Sequence, residues 1–239
     1  MLIYGINPVM EALRTGRVRE VRVSERAGGR AAEVVAAASR AGVPTRRAQA
    51  HDLDRLAKGG VHQGVVADVE DARDYSVQDL VQGAAAAPLL VVLDGIEDPH
   101  NVGAILRTVD ASGADGVVRQ SRHAAPLGGA AAKAAAGAVS HVRIAEVVNI
   151  ARAIEELKEA GVWTVGLAGD SPKRYDQLDL TVPTAFVLGA EGTGLRRLVR
   201  ERCDWLVSIP MSGHVQSLNV SVAAGVALFE AVRQRHPKG

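Results

Sequence analysis

From Pro88 onward, continuous apolar runs of strand length alternate with stretches whose apolar residues recur at helical spacing, and this alternation restricts the fold more than any other feature. Strands are expected at 89–93, 116–118, 142–144, 162–167, 185–188 and 205–209. Helices are expected at 102–112, 129–136, 150–160, 195–202 and from 219 to about 234. Runs that are apolar throughout, rather than at every second residue, mark strands covered on both faces, as in a mostly parallel sheet. The pattern predicts a doubly wound α/β domain over residues 88–239.

The chain before this domain has a different character. A short helix is expected from Asn7-Pro8 to about Thr15, with Asn7 as cap and Pro8 in the first turn. A strand at 20–24, an alanine-rich helix at 31–41 closed by Gly42, an extended 43–45, a helix at 52–58 and a strand at 64–69 follow, so residues 1–70 read as a small α/β unit of their own. Residues 71–87, acidic at first and ending in Gly83, four alanines and Pro88, read as a linker. Ahead of Gly60 there are 11 Lys and Arg against 6 Asp and Glu, a net charge of +5, whereas the remainder carries 17 against 21, a net charge of −4. The whole chain is only +1. A polybasic tail is thereby excluded, and any polyanion must be met by local patches; the alternative is that the N-terminal arginines only solvate helix faces.

Other classes are poorly supported. Aromatic residues make up 3% of the chain, too few to fill cores and also build a platform that stacks bases. A single cysteine, Cys203, excludes an internal disulfide framework, and the seven histidines show no metal-binding spacing, so no metal is expected. Neither a secretory leader nor a membrane-length apolar run is recognisable, which predicts a cytoplasmic protein with no membrane partner.

Three segments stand where ligands bind in open α/β sheets, just after apolar runs. In the first, 93–108, a polar loop opens a helix carrying Asn101 and Arg107, six residues apart and able to face one site; alone, it also reads as a capped helix with a solvated arginine. The second, 186–195, runs from a strand into a glycine-rich turn. Its glycines follow a G-x-x-G-x-G order, not the dinucleotide fingerprint, and no Walker lysine follows, so a nucleotide-dependent oxidoreductase or NTPase is disfavoured. Glu191 within that turn could accept from ribose hydroxyls or hold an arginine. The third, 208–225, joins a proline-stopped strand to a helix opening at Ser217 or Asn219, by itself an ordinary capped start.

Taken in order, Asn101 with Arg107, then Leu188-Gly189-Ala190-Glu191-Gly192, then Ile209-Pro210-Met211 with Ser217-Leu218-Asn219-Val220-Ser221 resemble the three motifs of the SpoU (TrmH-like) 2′-O-ribose RNA methyltransferases of the SPOUT class. Tyr4-Gly5-Ile6-Asn7-Pro8-Val9, Glu11-Ala12-Leu13 and His62-Gln63-Gly64 further resemble the N-terminal substrate-binding domain of the bacterial branch that methylates a guanosine of 23S ribosomal RNA. The resemblance implies a ribosomal-protein-like N-terminal domain and a catalytic domain knotted as a trefoil, an exception to the rule that chains do not knot. It implies S-adenosylmethionine as cofactor, held by Gly189, Ile209 and Leu218 with Leu188, Met211 and Val220 as neighbours. It also implies a homodimer formed through the catalytic domain, with the last helix as a contributor. By position, Arg107 is the central catalytic residue, oriented by Glu191 and Ser217, while Asn101 and Asn219 order the loops. Family proposals make this arginine a general base; a guanidinium of pKa above about 12 is expected instead to stabilise developing charge. Arg14, Arg17, Arg19, Arg22, Arg46 and Arg47 are candidate contacts to folded RNA. Two alternatives remain open from sequence: a transfer-RNA or other rRNA-site enzyme of the same family, and an RNA-binding protein without catalysis.

Overall fold

The computed structural model describes residues 2–14, 16–25, 28–57, 59–69, 75–122, 124–125, 127 and 130–236. The chain divides into two compact units, Met1–Arg73 and Asp74–Gly239.

In the first unit the elements are β1 (Leu2–Tyr4), α1 (Ile6–Arg14), β2 (Val18–Ser24), α2 (Arg30–Arg40), β3 (Thr45–Ala48), α3 (Ala50–Leu56) and β4 (Val65–Val69). The sheet order is β1-β4-β2-β3, with β2–β3 parallel and β1–β4 and β4–β2 antiparallel. Val21, Val23, Val65 and Ala67 project from the sheet into a core with Val9 and Leu13 of α1 and Val34 and Ala38 of α2. The start of α1 differs from expectation. The helix begins at Ile6, whose backbone N–H donates to Gln63 Oε1 at 3.1 Å, while Asn7 Oδ1 accepts from Arg30 Nη2 at 2.9 Å. Gln63 reaches that position from a left-handed backbone (φ 52°), flanked by His62, whose Nδ1 accepts from Gly64 N–H and whose Nε2 lies 3.0 Å from Asp54. His62-Gln63-Gly64 is therefore a clamp that caps a helix far away in sequence. Thr15 and Lys58, at the ends of two expected helices, lie outside the described residues.

The second unit opens with α4 (Val77–Gln82) and continues β5 (Leu89–Asp94), α5 (Pro99–Ser112), β6 (Gly116–Gln120), α6 (Ala130–Ala134), β7 (Ile144–Val147), α7 (Ile150–Glu159), β8 (Trp163–Leu167), β9 (Thr184–Gly189), α8 (Arg197–Arg202), β10 (Trp205–Val207) and α9 (Val220–Arg235). All strands pair in parallel, in the order β10-β8-β9-β5-β6-β7. The chain moves outward through β6 and β7, crosses to β8, returns to place β9 between β5 and β8, and ends the sheet at β10. On β5, Leu89, Val91 and Leu93 enter one core with α5 and α9, and Leu90 and Val92 enter a second core with α4 and α7, the two-sided burial that the continuous apolar runs predicted.

Where boundaries differ, a local contact is responsible. Within the expected linker 71–87, residues 76–82 form a packed helix instead: Ser76 and Asp79 close a capping box, and Val77 and Leu80 of α4 are buried in the second core. Six residues give too little periodicity to declare such a helix in sequence. The strand expected at 142–144 starts at Ile144, because Val142 N–H bonds Ala138 O in the preceding turn. Gly103 lets α5 and α6 touch, since a Cβ there would stand 2.4 Å from Ala131 O.

Candidate active site

At the carboxyl ends of β8, β9 and β10 lies a cavity of about 440 Å³, within the range of roughly 300–1,000 Å³ that small-molecule sites occupy. Its apolar wall includes Leu188, Ile209, Met211, Leu218 and Val220, and the glycine-rich turn 189–195 forms another side. All six residues expected to hold a cofactor are on this lining, along with Glu191 and Ser217. A Cβ on Gly189 would meet Gly194 C at 2.2 Å and Leu195 N at 2.3 Å, so only glycine lets the strand end and the turn lie this close. The turn is closed by Gly194 N–H donating to Ala190 O at 2.8 Å, with Gly192 and Gly194 at φ 81° and 68°. Its far end is fixed by Asp94, fully buried at the end of β5. That carboxylate accepts from Arg196 backbone N–H at 2.8 Å and Arg196 Nε at 2.6 Å, and Arg196 Nη2 donates to Gln120 Oε1 at 2.9 Å. Leu195 and Arg196 are thus drawn out of the helix expected at 195–202, and α8 begins at Arg197.

The first and third motifs meet beside this turn. Asp98, not Asn101, caps α5, its Oδ1 accepting from His100 N–H at 3.0 Å. Asn101 is 7% exposed and bridges two distant segments. Its Oδ1 accepts from Asn219 Nδ2 at 2.9 Å, and its Nδ2 reaches Glu191 Oε2 at 3.5 Å. Asn219 Oδ1 in turn accepts from the Ser221 backbone N–H at 2.9 Å and hydroxyl at 2.6 Å, capping α9. The side-chain amides of Asn101 and Asn219 thus find partners of the right polarity, joining residues 90 and 118 positions apart. Arg107 stands apart. It is exposed on α5, one turn beyond Gly103, does not line the cavity, and among the described residues no hydrogen bond or ion pair ties it to Glu191 or Ser217.

Sequence reasoning missed one pair on the cavity lining. Arg200 Nη1 and Nη2 donate to Asp170 Oδ1 and Oδ2 at 2.9 and 3.0 Å. The Arg200 hydrogen bonds hold the Asp170 carboxyl below its ordinary pKa. Thirty residues separate the two, and no local pattern announces such a contact.

The arginines of the first unit are spoken for in part. Arg22 Nε bonds Glu20 at 3.1 Å, Arg46 pairs with the same carboxylate, Arg47 Nη1 donates to Ser24 O at 3.1 Å, and Arg14 lies 3.6 Å from Glu11. Arg14, Arg19, Arg46 and Arg47 are exposed, and Arg17 and Arg22 half-buried. Among the described residues no cluster of three or more His, Cys, Asp or Glu could hold a metal ion, and no helix is long and apolar enough to cross a membrane.

Comparison with known proteins matches residues 88–229 to the SpoU rRNA methylase family and residues 2–75 to the RNA 2′-O ribose methyltransferase substrate-binding family. Over 242 residues the chain is 44% identical to the 23S rRNA (guanosine-2′-O-)-methyltransferase RlmB of Pseudomonas putida and 46% identical to that of Pseudomonas syringae. The matches cover 99% of this chain and 97% and 96% of those proteins. The crystal structure of the SpoU methyltransferase AviRb from Streptomyces viridochromogenes in complex with the cofactor AdoMet superposes with a TM-score of 0.69 at 28% identity, covering 98% of this chain and 90% of that one.

Proposed function

The chain belongs to the SpoU family of S-adenosylmethionine-dependent RNA 2′-O-ribose methyltransferases, and on that premise we propose that it methylates the 2′-hydroxyl of a guanosine in 23S ribosomal RNA. The substrate is that of relatives which match the chain end to end, N-terminal unit included. The observation that carries the reading is the Asn101 amide, which ties Glu191 and Asn219 together beside the cavity.

The residues present fit the cofactor: the apolar wall suits an adenine, the close-packed turn offers backbone groups, and the volume suits a nucleoside bearing an amino acid. When bound, S-adenosylmethionine supplies an electrophilic methyl on a positively charged sulfur. Leu188, Gly189, Ile209, Met211, Leu218 and Val220 would hold it. A ribose 2′-hydroxyl is a poor nucleophile at neutral pH, so the chain must position it and stabilise the charge that develops on its oxygen. We assign that role to Arg107, because a guanidinium donates hydrogen bonds and keeps its own proton near neutrality; the hydroxyl proton then passes to solvent water as the oxygen takes the methyl group. Glu191 and Ser217 are assigned to orient Arg107 once RNA is in place, and Asn101 and Asn219 to keep the two loops in register. Arg14, Arg17, Arg19, Arg22, Arg46 and Arg47 are assigned to phosphate contacts.

The working form is proposed to be a cytoplasmic homodimer through the catalytic unit, knotted as its family resemblance implies. Val222 and Phe229, two turns apart on one face of α9, are 51% and 50% exposed, which supports an interface there.

The test is transfer of radiolabelled methyl from S-adenosylmethionine to unmodified 23S rRNA, with transfer RNA and the Arg107→Ala protein as controls. Label on a guanosine 2′-oxygen, lost in the variant, is expected. Label on transfer RNA alone would overturn the substrate, and no label on rRNA or assembling ribosomal particles would overturn the activity.

A further inference from the structure

Among the described residues, the charged ones on the cavity lining are Asp170, Glu191 and Arg200. Glu191 is engaged by Asn101, on the side where the acceptor is assigned. Asp170 follows β8, which β9 separates from β5 and the loop feeding α5, and Arg200 belongs to α8. The two form a bidentate pair on the cavity wall, with side chains 71% and 38% exposed. Exposed pairs of this kind contribute about 0–1 kcal/mol to stability, so the fold gives little reason for one here.

We infer that the Asp170–Arg200 pair is the subsite for the amino-acid end of the methyl donor, the guanidinium taking its α-carboxylate and the carboxylate its α-ammonium. The inference rests on the methyl-donor reading above and adds the residues that recognise one part of that ligand. A guanidinium fork facing a carboxylate is the mirror, in charge, of an α-amino acid zwitterion. Each internal bond can therefore be exchanged for an intermolecular bond of the same type, with no charge left unpaired. A sugar diol, the other polar part of the donor, is uncharged and would draw on Asp170 alone, giving the Arg200 guanidinium nothing to recognise. The adenine finds its surface on the apolar wall of Leu188, Ile209, Met211, Leu218 and Val220.

The experiment is isothermal titration calorimetry on the full chain and its Arg200→Gln and Asp170→Asn variants with two thioethers. S-Adenosylhomocysteine carries the amino-acid end, and 5′-methylthioadenosine ends in a methyl group instead. Wild type is expected to prefer S-adenosylhomocysteine. Each variant should weaken that ligand about tenfold or more, the worth of one charge-assisted hydrogen bond, while leaving 5′-methylthioadenosine within about twofold. Asp170→Asn is isosteric and Arg200→Gln leaves a shorter polar side chain, at an exposed and a half-buried position, and an unchanged melting temperature without ligand certifies the fold. Equal losses for both ligands would place the pair against the adenosine and overturn the inference, as would unchanged affinity for S-adenosylhomocysteine. Wild-type protein that binds neither thioether would instead overturn the methyl-donor reading itself.

Discussion

Gly189→Ala offers a stringent test of how the cavity is built. Its new methyl group would sit 2.2 Å from Gly194 C, 2.3 Å from Leu195 N and 2.4 Å from Gly194 O, all backbone. Carbon contacts begin near about 3.5 Å, so strand and turn must part by roughly 1 Å. The strand cannot yield easily, because Gly189 pairs with Asp94 on β5 at the centre of the sheet. The turn must move instead, against its Ala190–Gly194 bond, the buried Leu195 and the Asp94–Arg196 clamp. Overpacking of this kind costs about 1–3 kcal/mol, or roughly 3–10 °C in melting temperature for a chain of this size. Because the displaced turn is a cavity wall, affinity for S-adenosylhomocysteine should fall by at least about tenfold by calorimetry. Arg107→Ala, altering a residue off the cavity lining, should leave that affinity within a few fold. A Gly189→Ala protein that binds the thioether as wild type does would refute the account of the turn, and equal losses in the two variants would contradict the separation of cofactor and catalytic roles.

Three further expectations follow from particular contacts. Asn101→Leu leaves the Asn219 amide and Glu191 without their shared partner and should cost about 1–3 kcal/mol in denaturant unfolding; additive losses in a double-mutant cycle with Asn219→Ala would contradict the coupling. Arg235 donates to the carbonyls of Ala87, Pro88, Leu180 and Val182, and burial holds its pKa below the ordinary arginine value. Arg235→Met should therefore lower stability by about 2–4 kcal/mol, visible as a fall in melting temperature. Burial pushes the Asp204 carboxyl up, but the Thr164 backbone N–H and hydroxyl and the Lys158 ammonium outweigh it and hold its pKa below the ordinary value. A depressed folded-state pKa gives stability that is present above the unfolded value of about 4 and is lost as pH falls through the lower folded value. Asp204→Asn should accordingly be less stable at neutral pH and lose less on acidification than wild type, which thermal melts across that range would reveal.

The strand and helix alternation of the second unit was legible because a sheet buried on both faces forces nearly every strand position to be apolar, a signal written in consecutive residues. The motif positions were legible for a related reason: Asn101, Glu191 and Asn219 each sit at a strand-to-helix junction that local pattern marks. Contacts between segments were not. That Gln63 rather than Asn7 caps α1, that Asn101 turns to Asn219 and Glu191 and leaves the cap of α5 to Asp98, and that α4 packs where a linker was expected all depend on partners that fold back into reach. By itself, then, the sequence determined the class of the sheet, the order of its elements and the family to which its motifs belong. Tertiary structure alone decided that β9 inserts between β5 and β8, that Asn101 bridges Glu191 to Asn219, and that Asp170 meets Arg200 on the cavity wall. Side-chain periodicity reports which face of an element is buried but not which element covers it, and hydrogen bonds across 30 to 118 residues exist only once the chain has closed.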